Sequence, residues 1–149
     1  MNRRRDVHWY VLAHHRVDQG ERCVWVPLGQ ARRVAVCARC LALYPALFAT
    51  LSAQLALGPR SIGPLDWWIG LLGAAPALVD WGLGRLGHRG SNVVRLATGA
   101  LLGVALGRTL SLQMVDPANE VFWVQALLLV IGVLAFEVVA RLGLGDEPR

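Results

Sequence analysis

Four long apolar runs, approximately Val36–Leu57, Trp67–Leu83, Val93–Leu112 and Val121–Ala140, restrict what this chain can fold into more than any other feature. A helix needs roughly 20 apolar residues to cross the hydrocarbon core of a bilayer. Inside that core each backbone amide must find its partner within the structure, which a helix provides and an open strand does not. Each run is close to spanning length. Between them stand Gly58-Pro59 with Gly63-Pro64, a glycine-rich basic segment at 84–92, and Asp116-Pro117-Ala118-Asn119, all strong turn punctuation. The spacing predicts an all-α protein, an integral membrane bundle of four transmembrane helices. On this reading residues 1–34 are a short cytoplasmic Cys/His segment, 35–144 the four-helix transmembrane domain, and 145–149 a tail.

Composition agrees with a bilayer environment. The 149 residues are 55% hydrophobic and 17% charged, whereas a soluble domain carries about 25% charged residues. Mean hydropathy is +0.45. The net charge of +5 comes with 15 basic residues, all arginine, and a basic chain raises the question of nucleic acid, whose phosphates attract cations. The arginines, however, flank the apolar runs and form no basic face interleaved with aromatics, so nucleic acid is not an expected partner. Thirteen of them fall on one side of the four-helix scheme and two, Arg60 and Arg108, on the other. The positive-inside rule then puts both termini and the 84–92 segment in the cytoplasm of a multi-pass inner-membrane protein. The apolar stretch Val7–Ala13 is interrupted by His8 and is too short for a secretory signal, and no small-residue cleavage site follows it.

In the third run Gly99, Gly103 and Gly107 form a double G-x-x-x-G repeat, a surface on which another helix can approach closely. Its partner is a neighbouring helix or, in a helix-mediated oligomer, a second copy.

Two groups of residues carry chemistry. The first is Cys37-Ala38-Arg39-Cys40, with Cys23 upstream. Three cysteines make no disulfide framework, and on the cytoplasmic side they are reduced, which points to metal binding or thiol exchange. Two thiolates one helical turn apart supply half of a tetrahedral zinc site. His14, Cys23, Cys37 and Cys40 are the candidate set, with His15 as substitute for His14 and His8 also within reach. A zinc with four protein ligands would be structural, fastening the N-terminal segment to the membrane surface. Thiol exchange is a weaker alternative, because no thioredoxin-like pattern surrounds the pair; in another, the cysteines are small buried hydrophobes and the histidines lie in solvent.

The second group is polar and converges at one end when the helices are laid antiparallel: Tyr44, Asp80, Asn92, Arg95, Thr98 and Glu137. Ionisable side chains in spans are costly, so they face the bundle interior and pair. Asp80 with Arg95 is the expected pair. A structural ion pair or, for Glu137, snorkelling to the headgroups is the alternative to a functional pocket.

The stretches Val36-Cys37-Ala38-Arg39-Cys40-Leu41-Ala42-Leu43-Tyr44, then Pro76 with Asp80, then Ser91-Asn92-Val93-Val94-Arg95-Leu96-Ala97-Thr98-Gly99, resemble a family of small prokaryotic polytopic membrane proteins known only as a domain of unknown function. The likeness runs from about His14 to Leu110 and names no activity. In that family a Cys-His pair precedes the C-x-R-C, which implies four soft ligands; here the corresponding residues are Ala13-His14-His15. Either Cys23 takes the place of the missing cysteine, or the metal site is degraded.

These readings converge on a membrane protein whose Asp/Arg pocket, beside a Cys/His zinc site, binds an anionic small molecule or a lipid headgroup. Arg95 suits phosphate or carboxylate, which guanidinium grips bidentately. A catalytic version has the metal or Asp80 activating water on a headgroup, although no signature such as H-E-x-x-H is present. A transporter or channel component and a structural assembly partner are the alternatives.

Overall fold

The computed structural model describes residues 9–12, 22–27, 33–58, 62–88 and 90–143. Within these the four apolar runs are helices: α1 Ala38–Leu57, α2 Pro64–Arg85, α3 Asn92–Val115 and α4 Glu120–Arg141. Their starts follow local chemistry. Pro64 opens α2 at a position where its missing N–H costs nothing. Asp66 is not the cap of that helix, as its place before the tryptophans suggests; Gly63 holds that position and donates its N–H to Asp66 Oδ2 at 2.9 Å. Ser91 caps α3 by accepting from Val94 N at 3.2 Å, and Asn119 caps α4 by accepting from Val121 N at 2.8 Å.

Three of the four, α1, α3 and α4, are long and apolar enough to cross a membrane. The other, α2, carries Asp66, Asp80, Pro76 and three tryptophans among its 22 residues, which lowers its hydropathy. Burial follows the order expected in lipid. Large apolar side chains such as Phe48, Leu72, Leu101, Leu127 and Leu134 are exposed on the outside, while Asp66, Arg95, Thr98, Arg108, Thr109, Ser111 and Gln125 are buried inside. A protein dissolved in water buries the opposite set. Ion pairs fix the directions of the helices: Asp66 at the start of α2 meets Arg108 late in α3, and Asp80 late in α2 meets Arg39 at the start of α1. Arg85 at the end of α2 meets Glu137 near the end of α4, so the bundle is up-down-up-down.

The glycine repeat is used inside the chain. A Cβ on Gly99 would run into the carbonyl oxygen of Arg39, one on Gly103 into that of Leu43, and one on Gly107 would lie 2.7 Å from that of Leu47. The three glycines and the three α1 carbonyls share a four-residue step, so the two helices lie side by side along their length and each glycine removes a clash. Between α2, α3 and α4 the link is polar: Thr109 Oγ1 donates to Gln125 Oε1 at 2.6 Å, and Gln125 Nε2 donates to the Gly70 carbonyl at 3.1 Å.

The N-terminal Cys/His segment carries strands that the run lengths do not announce. Its described residues contain three short strands, β1 Trp9–Leu12, β2 Cys23–Pro27 and β3 Arg33–Cys37, in the order β1-β3-β2. β1 runs parallel and β2 antiparallel to the central β3. Val24 and Val26 of β2 face Val36 and Val34 of β3, the branched residues that suit a pleated surface. Pro27 ends β2, an edge strand, where a missing donor is tolerated. β3 passes directly into α1, so that helix begins at Ala38 instead of Val36. The tail at 145–149 lies outside the described residues.

Candidate functional site

The sheet lies over the end of the bundle where α1 and α3 begin and α2 and α4 finish. Arg22, just before β2, donates from Nη2 to the Gly84 carbonyl at 3.3 Å, which ties sheet to α2. Beneath it opens a cavity of about 560 Å³. Four arginines, Arg22, Arg39, Arg85 and Arg95, line it with Asp80, Glu137, Cys37 and Trp81.

The charges divide unevenly. Asp80 pairs with Arg39, correcting the expected pairing with Arg95. The reason is positional: Arg39 enters α1 straight from β3 and reaches the acid across the α1–α2 contact. Arg95 turns instead along its own helix and donates from Nη1 to Asn92 Oδ1 at 3.1 Å. Thr98 Oγ1 lies 3.5 Å from Asp80 Oδ2, and Glu137 pairs with Arg85 at 2.8 Å. Each acid thus has its own arginine. Among the described residues no carboxylate forms an ion pair with Arg22 or Arg95, yet Arg95 is only 7% exposed. Arg39 Nε is also buried without a hydrogen-bond partner among the described residues.

Of the expected polar pocket, the fold brings Asp80, Arg95 and Glu137 to this cavity, with Asn92 bonded to Arg95 and Thr98 beside Asp80. Tyr44 is on an exposed part of α1 and does not line the cavity. Arg22, Arg39 and Arg85 also line the cavity without being expected there, because in sequence an arginine near a helix end reads as an orientation signal. A second pair was missed as well. Arg108, counted with the loops, lies inside α3 and donates from Nε and Nη2 to Asp66 at 2.7 and 3.1 Å, with Nη1 on Gln54 Oε1 at 2.8 Å. Its place within the third apolar run was the available signal.

The cysteines come together in part. Cys23 and Cys37 are cross-strand partners, and the Cys37 and Cys40 side chains share a hydrogen bond. Burial pushes the Cys23 thiol up from its ordinary value, the Cys37 thiol adds to this, and Arg95 opposes it. No three His, Cys, Asp or Glu among the described residues are arranged to hold a metal ion. His14 and His15 lie outside the described residues.

A second recess, about 600 Å³, borders the first. It runs between α2 and α3, with Leu72, Pro76, Val79, Leu83 and Val94 as its apolar walls. Asp80 and Gly84 line both spaces. Gly90 forms the sill between them: a Cβ there would lie 3.2 Å from Asp80 Oδ1 and 3.7 Å from Arg95 Nη2.

No curated protein and no solved structure matches this chain. A family model does, described as predicted membrane protein (DUF2085), over residues 18–109, which take in β2, β3, the glycine repeat and every cavity-lining residue but Glu137. With more than half of its length matched and its polar groups turned inward from an apolar exterior, the chain belongs to that membrane-protein family.

Proposed function

We propose that the sheet-covered end of the bundle is a binding site for an anionic ligand, entered from the cytoplasmic side. The observation that carries this is Arg95: a buried guanidinium with an amide oxygen as its partner and no carboxylate paired with it among the described residues. Burying a cation without a counter-charge costs several kcal/mol. A phosphate or carboxylate placed between Arg95 and Arg22 offsets that cost and takes two guanidinium forks. Arg39 Nε supplies a further buried donor. The pairs Arg39–Asp80 and Arg85–Glu137 hold the walls and confine the surplus positive charge to Arg22 and Arg95. The cytoplasmic placement is supported by the thirteen arginines on this side of the sequence scheme.

Equilibrium dialysis of the detergent-purified protein against labelled inorganic phosphate tests the reading. Saturable binding that Arg95→Gln weakens roughly ten- to a hundred-fold is expected, the worth of a charge-assisted hydrogen bond. Equal binding by the two proteins contradicts it.

A structural zinc is a second reading, favoured by the meeting of Cys23 with Cys37 and of Cys37 with Cys40. The described residues do not complete a site, so His14 or His15 would have to close it. Near one equivalent of zinc in protein purified without chelator, lost in Cys37→Ser, is the outcome this reading requires. Metal-free protein with a normally folded Cys37→Ser variant ends it.

A further inference from the structure

We infer that the anion is the headgroup of a membrane lipid whose acyl chain lies in the recess between α2 and α3. The inference rests on the anion reading of the arginine cavity and adds the source of the charge.

Three observations lead there. The recess is apolar along its walls, and Leu72, Val79, Leu83 and Val94 are exposed on the outer surface of the bundle, so it opens to the hydrocarbon and not to a protein neighbour within the chain. Its polar residues gather at one end: Asp80, His88, Ser91 and Thr98 adjoin the arginine cavity, while Leu72 and Ala75 mark the other end. From Leu72 to Leu83 the recess follows α2 over eleven residue steps, which at 1.5 Å each is about 16 Å. That is half of a hydrocarbon core of roughly 30 Å, the depth of one leaflet.

A soluble anion would use the cavity and leave the recess to bulk lipid. An anionic phospholipid from the adjoining leaflet uses both at once: its phosphate reaches Arg95 across Gly90, and its chain descends along Pro76 and Val79. Gly90 lets the two spaces meet, since a Cβ there would sit tight against Asp80 Oδ1 and fill the gap as far as contact with Arg95 Nη2. The surplus positive charge selects an acidic headgroup over a zwitterionic one.

The test compares three probes on protein in neutral detergent: dioleoyl phosphatidylglycerol, dioleoyl phosphatidylcholine, and glycerol phosphate, which has the acidic head without chains. Bound lipid is counted by native mass spectrometry, and glycerol phosphate by dialysis. Ala75→Phe fills the recess away from the arginines, and Val79→Phe does the same from a neighbouring turn; circular dichroism and gel filtration show whether each folds. Wild type should hold phosphatidylglycerol at least about tenfold tighter than either other probe. A folded recess-filling variant should lose that preference and keep its affinity for glycerol phosphate, whereas Arg95→Gln should weaken both acidic probes. If both recess variants bind phosphatidylglycerol like wild type while Arg95→Gln loses both acidic probes, the ligand is a soluble anion: the lipid inference fails and the anion reading stands. If Arg95→Gln changes nothing, both fail. A dimer in wild type that Ala75→Phe dissolves would put a second copy in the recess and overturn the lipid assignment.

Discussion

At the scale of single residues, the bilayer reverses the ordinary cost of each side chain. Leucines on the outside need no cover, but Asp66 and Arg108 need each other. With side chains only 6% and 10% exposed, and two hydrogen bonds between them, the pair replaces the water that each has lost. Removing one partner leaves the other charged and buried, a loss of about 3–5 kcal/mol. Arg108→Leu should therefore destabilise the protein by that amount in detergent unfolding, and adding Asp66→Asn should recover much of it. Losses that simply add would show that the charges act separately. This pair was not legible beforehand because each residue had a plausible local role, Asp66 as a helix cap and Arg108 as an orientation signal. Asp80 was legible as an interior acid, but its partner was not: Arg39 and Arg95 are both basic residues at helix starts, and only packing decides between them. The same packing leaves Arg95 without an ion-pair partner among the described residues.

At the scale of elements, the helices were legible and the strands were not. Run length and turn residues place a spanning helix to within a few positions, since a bilayer sets its minimum length. A strand of four or five residues has no such ruler, and the alternation in Cys23–Pro27 and Arg33–Cys37 is short enough to pass for a polar arm. The glycine repeat predicted a close helix approach without naming the helix. Its match to the carbonyls of Arg39, Leu43 and Leu47 identifies α1, and the repeat is thereby occupied within the chain. Gly103→Val should push the two helices apart at the tightest point, where Ala46 Cβ and Leu47 N would lie 2.9 and 3.0 Å from the added Cβ. A loss of about 1–3 kcal/mol is expected, as for other overpacked interfaces. An equal melting temperature for wild type and Gly103→Val would mean that α1 and α3 do not pack through these glycines.

At the scale of the whole molecule, two polar layers lie near opposite ends of an apolar-faced bundle. One is the self-satisfied layer of Gln54, Asp66 and Arg108; the other is the arginine cavity under the sheet, which carries surplus charge. The cavity therefore faces a particular compartment. Reporter fusions at Arg5, His88 and Arg149 should all report cytoplasm, and a periplasmic signal at His88 would place the cavity on the wrong side of the proposed scheme. The most direct measurement follows from the cost of Arg95 itself. A residue kept for binding is a burden without its ligand, so Arg95→Gln should melt at or above the temperature of wild type in phosphate-free detergent. Added phosphate should raise the wild-type melting temperature progressively by mass action, toward about 2.7 kcal/mol of stabilisation at a hundred times its dissociation constant. The variant should stay flat. If Arg95→Gln instead melts well below wild type, or if phosphate moves both proteins equally, Arg95 is a structural group and the cavity is not an anion site.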